Sequence, residues 1–244
     1  MTAAAVPPPP PPSPRPQHPL LGMLLDAADG RFPAADGGVT VLPAMPDGQE
    51  CSVAFTGHAV IATARPEAAV CEAPGPPDGL GGSLAPDFLR WLAGPRGRIV
   101  HLDVTLVARG TGDDSAPRLP ERHDLDRHPR VRLAQELRTD VRVHGDERGL
   151  ITLADGLAGR RELGIELIDG SDGSDGSDGH GPGQEQGRGH GRALLRDALT
   201  LVPSGEPVFA AIAPGNARSL RSFLAAGFTP VGSEVVIIPD PERY

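Results

Sequence analysis

Gln186-Gly187-Arg188-Gly189-His190-Gly191-Arg192 runs directly into Ala193–Val202, a stretch of good helix formers. Three glycines alternate here with Arg188 and His190. A glycine has no Cβ, so its backbone can take φ > 0 and let a ligand come close. The first N–H groups of the following helix lack internal partners and sit at the positive end of its dipole. A glycine-rich turn entering a helix is therefore an anion cradle, most often for phosphate, and Arg188, His190 and Arg192 add charge at its rim. A plain loop ending at a helix start is the alternative. Two other phosphate cradles are excluded. A P-loop needs Gly-Lys-Ser/Thr, and the chain has no lysine. The dinucleotide fingerprint Gly-x-Gly-x-x-Gly fails because Arg192 stands where its third glycine belongs.

The loop is flanked by readable elements. Upstream, Arg160–Ile168 alternates as a strand, with Leu163, Ile165 and Leu167 on one face and Glu162, Gly164 and Glu166 on the other. Asp140–His144 and Gly149–Leu153 form two strand-like runs around Gly145-Asp146-Glu147-Arg148, a hairpin. Val131–Leu137 reads as a short helix. Asp169–Gly179 is a Ser-Asp-Gly repeat, whose composition predicts a flexible, solvated insert over 169–183. Downstream, Pro207–Ala213 is an apolar run suited to a buried parallel strand. Pro214-Gly215-Asn216 precedes Ala217–Ala226, which has helical spacing with Leu220, Phe223 and Leu224 on one side. Gly227 suits a left-handed C′ position with Phe228 packing back, and Val231–Ile238 supplies a last strand.

Gln186-x-x-Gly189-x-Gly191 resembles the acyl-CoA pyrophosphate loop of the GNAT superfamily of N-acetyltransferases. The order strand, Gly loop, helix, strand, Asn, helix, Gly-Phe, strand over Asp140–Ile238 resembles that family's core. The resemblance implies an α+β fold: a mixed, mostly antiparallel central sheet with a splayed parallel strand pair, flanked by helices. It implies acetyl-CoA as acyl donor, with Leu167, Ile168, Gln186, Gly187, Arg188, Gly189, His190, Gly191, Arg192, Asn216 and Ser219 around it. Asn216 occupies the position from which the family often contacts the pantetheine arm. It is also the only asparagine in the chain and a favoured helix N-cap; the residue suits either role, or both.

The reaction implied is direct transfer of acetyl to an amine on a small molecule or a protein. An alkyl ammonium has a pKa of roughly 10, so a base must take a proton before attack. The family commonly uses a carboxylate on the strand before the Gly loop. Glu162 is nearest that position and Glu166 is the alternative, and burial near the thioester would raise either carboxyl toward a useful range. Both are equally readable as ordinary polar-face residues. Many family members reprotonate the thiolate with a Tyr, but Phe223 stands there and the only tyrosine is Tyr244. The segment after Phe228 is also short for the family's closing hairpin. These departures keep open a non-catalytic acyl-CoA-binding or sensor module, or a scaffold.

Composition narrows the remaining classes. The 244 residues carry a net charge of −9 with no basic block. Phosphate contacts dominate nucleic-acid affinity, so nucleic acid is not expected as a partner. Aromatic residues are 3% of the chain, leaving a core of Ala, Val, Leu and Ile. The two cysteines, Cys51 and Cys71, make no disulfide framework and point to a reducing cytoplasm. No signal peptide or membrane span is expected. His123-Asp124-x-Asp126-x-His128 has metal-ligand residue types without the spacing of a defined site, so no metal is expected. The domain reading is a disordered Pro-rich tail over 1–17, an N-terminal α+β appendage over 18–98 and the acyltransferase-like domain over 99–244. Within the appendage, Leu20–Ala28 and Ala85–Ala93 read as helices, Val39–Leu42 and Cys51–Ala62 as strands. Ile99–Val107 is a strand that opens the catalytic sheet.

Overall fold

The computed structural model describes residues 17–112, 119–167 and 189–243. In chain order its elements are α1 (Pro19–Ala28), β1 (Val39–Leu42), β2 (Glu50–Phe55), β3 (His58–Ala62), α2 (Glu67–Cys71), α3 (Pro86–Ala93) and β4 (Arg98–Arg109). There follow α4 (Pro129–Leu137), β5 (Thr139–Asp146), β6 (Gly149–Asp155), β7 (Arg161–Leu167), α5 (His190–Leu199), β8 (Pro207–Ile212), α6 (Ala217–Ala225) and β9 (Thr229–Ile238). The Pro-rich run, the Ser-Asp-Gly repeat, Ile168, Gln186, Gly187, Arg188 and Tyr244 lie outside the described residues.

The strands form one mixed sheet in the order β1-β3-β2-β9-β4-β8-β7-β6-β5. Two neighbouring pairs are parallel, β1 with β3 and β7 with β8; the rest are antiparallel. This is the mixed, mostly antiparallel α+β sheet that the resemblance implies. The N-terminal strands belong to the same sheet, because β2 pairs with β9 from Glu50↔Ile237 to Ala54↔Ser233. Strand β4 lies well inside the sheet, pairing with β9 on one side and β8 on the other.

Period-two alternation divides the central strands between two faces. Leu106 and Ala108 of β4, Val208, Ala210 and Ile212 of β8, and Leu163 of β7 face one core, which α5 and α6 cover through Leu194, Leu195, Ala198 and Phe223. Val107 and Phe209 face the other side and pack with Leu20 and Leu24 of α1. A third cluster seats Phe88 and Leu92 of α3 on Ile61, Val235 and Ile237.

Helix α6 ends as its sequence predicts. Gly227 takes φ +101°, a conformation a side chain rarely adopts. Its N–H bonds to the carbonyl of Leu224 at 3.1 Å and that of Phe228 to the carbonyl of Phe223 at 3.1 Å. That is the Schellman pattern. The rings of Phe223 and Phe228 meet edge to face at 4.9 Å, which ties the helix end into the core.

Candidate functional site

Strands β7 and β8 run parallel but share a single paired position, Glu162↔Phe209. Beyond it they diverge. Ala213 and Asn216 follow β8, and Leu163, Gly164 and Ile165 continue β7; these residues line a cleft of about 240 Å³. Ser219 and Phe223 of α6 flank one side. On the other, α4 presents a stripe, Arg130, Leu133, Ala134, Leu137 and then Arg138 at its end, with the i, i+3, i+4, i+7 spacing of one helical face. His101 and Asp103 of β4 and Glu234 of β9 complete the wall. A larger open depression of about 740 Å³ lies near α3, where Arg96 holds Asp240 and Glu242 and Arg65 lies over Trp91.

Beside the cleft runs a buried ion network. Arg160 is fully buried and joins two carboxylates. It donates to Glu162 Oε2 from Nε at 3.2 Å and from Nη2 at 3.1 Å, and to both oxygens of Glu234 at 2.6 Å. Arg138 donates to Glu162 Oε1 from Nε at 2.8 Å, and Thr105 donates to Glu234 at 2.7 Å. The Arg160 guanidinium also lies 5.2 Å from the Phe209 ring centre. Gly156 is required here, since a Cβ on it would come 2.1 Å from Glu162 Oε2.

The sequence-based expectation for the Glu162 carboxyl is corrected by this network. Burial does push its pKa up, but the charges and hydrogen bonds of Arg160 and Arg138 outweigh that and hold it at about 2. It is a permanently ionised partner of two arginines. Glu166, on the same face, is half-exposed, with an oxygen 3.8 Å from His128 Nε2.

Two groups that sequence reasoning missed face the cleft without partners. Asp103 accepts no hydrogen bond and joins no ion pair among the described residues. Burial pushes its carboxyl up, the carboxylates of Glu234 and Glu162 push it further, and it titrates at about 6. Glu234 stands directly opposite it across the β4–β9 ladder, a like-charge juxtaposition. Arg130, in the first turn of α4, is half-buried, and its Nε is buried with no hydrogen-bond partner among the described residues. Burial and then the neighbouring Arg138 charge lower its pKa. Gly164 makes room for it: a Cβ there would lie 2.9 Å from Arg130 Nη2 and 2.7 Å from Thr152 Oγ1.

The described residues of the glycine loop lie at the start of α5. Gly189 is the N-cap of α5, exposed, and a Cβ on it would meet nothing within 4 Å. His190 and Arg192 are exposed in the first turn, which carries no acidic residue. Gly191 is buried against Leu167 and Ser222, which places the start of α5 beside the open end of β7 and the middle of α6. Leu167 is 36% exposed. Asn216 caps α6, its Oδ1 accepting from the Ser219 N–H at 3.1 Å, and both residues line the cleft. Capping occupies its carbonyl oxygen and leaves its amide N–H groups toward other partners.

His128 is likewise a cap, its Nδ1 accepting from the Arg130 N–H at 3.3 Å. Among the described residues no group of three or more His, Cys, Asp or Glu could hold a metal ion. None of the described helices is long and apolar enough to cross a membrane.

No protein-family model matches the chain, and no curated protein matches it. Among solved structures, it is similar to a protein of Novosphingobium aromaticivorans DSM 12444 described as coming from the GNAT family. That likeness has a TM-score of 0.34 and 14% identity, over 60% of this chain and 69% of the other. Likeness of that degree carries no argument about activity.

Proposed function

We propose that the chain is an acetyl-CoA-dependent N-acetyltransferase that moves an acetyl group directly to an amine. The observation that carries the reading is the splay of β7 from β8 beyond their single paired position. In this reading the splay connects the start of α5 with the polar cleft lined by Asp103, Arg130 and Glu162. The N-terminus of α5, exposed among the described residues, suits the pyrophosphate, because helix-start N–H groups and the helix dipole attract anions. The open space around Gly189 lets the phosphate approach. A thioester passing between the diverging strands would put its carbonyl near backbone N–H groups of β7, where charge develops on attack.

In this reading Asp103 is the base. A carboxylate titrating at about 6 is ionised at neutral pH yet basic enough to help take a proton from an ammonium. Glu162, held at about 2, is a weaker base and is already engaged with Arg138 and Arg160. The freed amine then attacks the acetyl carbon, forming the C–N bond as the C–S bond breaks. The thiolate leaves with the electron pair. Its conjugate thiol has a pKa near 8.5, so departure needs no acid at the Phe223 position.

Calorimetric titration with acetyl-CoA, repeated on Gly189→Glu, tests the cradle. The parent should bind, and the variant should fold normally but lose at least ~10-fold in affinity through charge repulsion at the helix start. Amine-dependent release of CoA thiol tests the chemistry. A folded parent that ignores acetyl-CoA would end the acyltransferase reading. Tight binding with no turnover across a broad amine panel would instead favour a sensor.

A further inference from the structure

The unpaired charges of the cleft describe the acceptor, if the acyltransferase reading above holds. Arg130 and Asp103 face the same cleft of about 240 Å³, and neither side chain has an ion-pair partner among the described residues. They do not pair with each other. A guanidinium whose Nε is buried without a hydrogen-bond partner costs free energy unless something answers it. Beyond burial, the Arg138 charge lowers the Arg130 pKa further, while the charges of Glu166, Glu162 and Asp103 raise it without any of them forming an ion pair with it. None of the carboxylates that act on it is bonded to it: Glu162 is taken by Arg138 and Arg160, Glu166 lies toward His128 and solvent, and Asp103 makes no ion pair with it among the described residues.

We infer that the acceptor is a free amino acid, its carboxylate seated on Arg130 and its ammonium delivered to Asp103. The planar guanidinium fork matches a carboxylate bidentately. A dianion such as a phosphate group fits poorly, since Asp103, Glu162 and Glu234 all line the same space. A zwitterion answers both orphan charges at once and adds no net charge to the cleft. A volume of about 240 Å³ suits a small metabolite rather than a folded protein segment. The step balances as follows. The ammonium gives one proton to Asp103, and its nitrogen attacks the thioester carbon. The C–S bond breaks, and the second nitrogen proton is carried off by the CoA thiolate or solvent. The products are the N-acetylated amino acid and CoA thiol.

The test uses the full chain and the L-amino acids offered singly, each beside its own primary amide, which keeps the ammonium and deletes the carboxylate charge. Binding is read by calorimetry and turnover by release of CoA thiol. At least one amino acid should bind and react about 10- to 100-fold better than its amide, the range expected for a charge-assisted contact. Arg130→Gln should erase that preference while leaving acetyl-CoA affinity within about twofold, and Arg132→Gln on the same helix should change neither. Equal handling of acids and amides would overturn the inference, as would a preference that survives in Arg130→Gln. Failure of every amino acid to bind the folded parent would also overturn it. Because amino-acid binding is read without the thioester, its outcome stands apart from the acyltransferase reading. Loss of acetyl-CoA binding alone would remove that reading and leave an Arg130-dependent amino-acid site.

Discussion

Asp103→Asn separates a functional carboxyl from a structural one, because the structure predicts that it makes the protein more stable and less active. The folded carboxyl titrates at about 6 rather than in the ordinary carboxylate range, so folding disfavours its charged form. A rise from the ordinary aspartate value of 3.8 to about 6 converts to roughly 3 kcal/mol at 1.36 kcal/mol per pH unit. Asp103 is only half-buried, and solvent screening reduces this to ~1–2 kcal/mol. The folded state holds the proton more tightly, so the penalty is absent below the unfolded pKa near 4. It grows as pH rises to about 6 and is constant above. Urea denaturation should therefore find Asp103→Asn more stable than the parent by ~1–2 kcal/mol at pH 7.5 and nearly equal at pH 4, with the m-value unchanged. Amine-dependent release of CoA thiol should fall by about 10²- to 10⁴-fold, the usual worth of a general base. In the parent, kcat/KM should climb with pH through about 6, and the residual rate of the variant should lose that limb. A variant less stable than the parent at pH 7.5, or one retaining turnover within a few-fold, would refute the assignment.

Other substitutions follow from the same geometry. Glu162→Gln should lose about 3–5 kcal/mol, because it breaks a buried pair and leaves Arg138 and Arg160 to share the charge of Glu234. Denaturant midpoints check this, and turnover corrected for the folded fraction separates instability from lost chemistry. The stabilisation by the native Glu162 carboxylate is complete above the unfolded pKa near 4.3 and is lost only as pH falls through about 2. Gly227→Ala should cost about 1–2 kcal/mol, since the +101° φ at the end of α6 is a left-handed conformation that a Cβ strains. That loss should appear in the thermal midpoint without change in acetyl-CoA affinity.

The elements were legible wherever the pattern was local. Arg160–Ile168 alternated in sequence, and Arg161–Leu167 is a strand; Ala217–Ala226 had helical spacing, and Ala217–Ala225 is a helix; Gly227-Phe228 announced a helix end and forms one. The Gly-loop glycines 189 and 191 read as a helix entry and serve as one. Sheet order was not legible, because the central placement of β4 depends on which distant strand closes the sheet after α6. The charge state of Glu162 was equally hidden. Its polar-face position was readable, but Arg138 lies 24 residues before it in sequence, and no local pattern says that the two meet. Asp103 did leave a trace: aspartate is depleted in strands, and His101, Asp103 and Thr105 mark a polar face along an otherwise apolar run. Arg130 left none, being one arginine of several in a polar helix start.

The buried network explains why the useful carboxyl is on β4 rather than β7. Arg138, Arg160, Glu162 and Glu234 balance two positive against two negative charges, and their hydrogen bonds satisfy most of their polar atoms. Such a group is held by geometry, and its members have little freedom to exchange protons near neutral pH. Its two carboxylates nevertheless lie toward Asp103, and both act to raise that residue's pKa. The network thus supplies a fixed field, and Asp103, unpartnered at its edge, is the group that responds to it. Neutralising Glu234 should accordingly lower the pH at which Asp103 titrates, moving the acidic limb of kcat/KM to lower pH by up to about one unit. Glu234→Gln also exposes Arg160 to a lost partner, so the profile must be taken in conditions where the variant is folded. An acidic limb that stays in place in a folded Glu234→Gln protein would show that the base lies elsewhere.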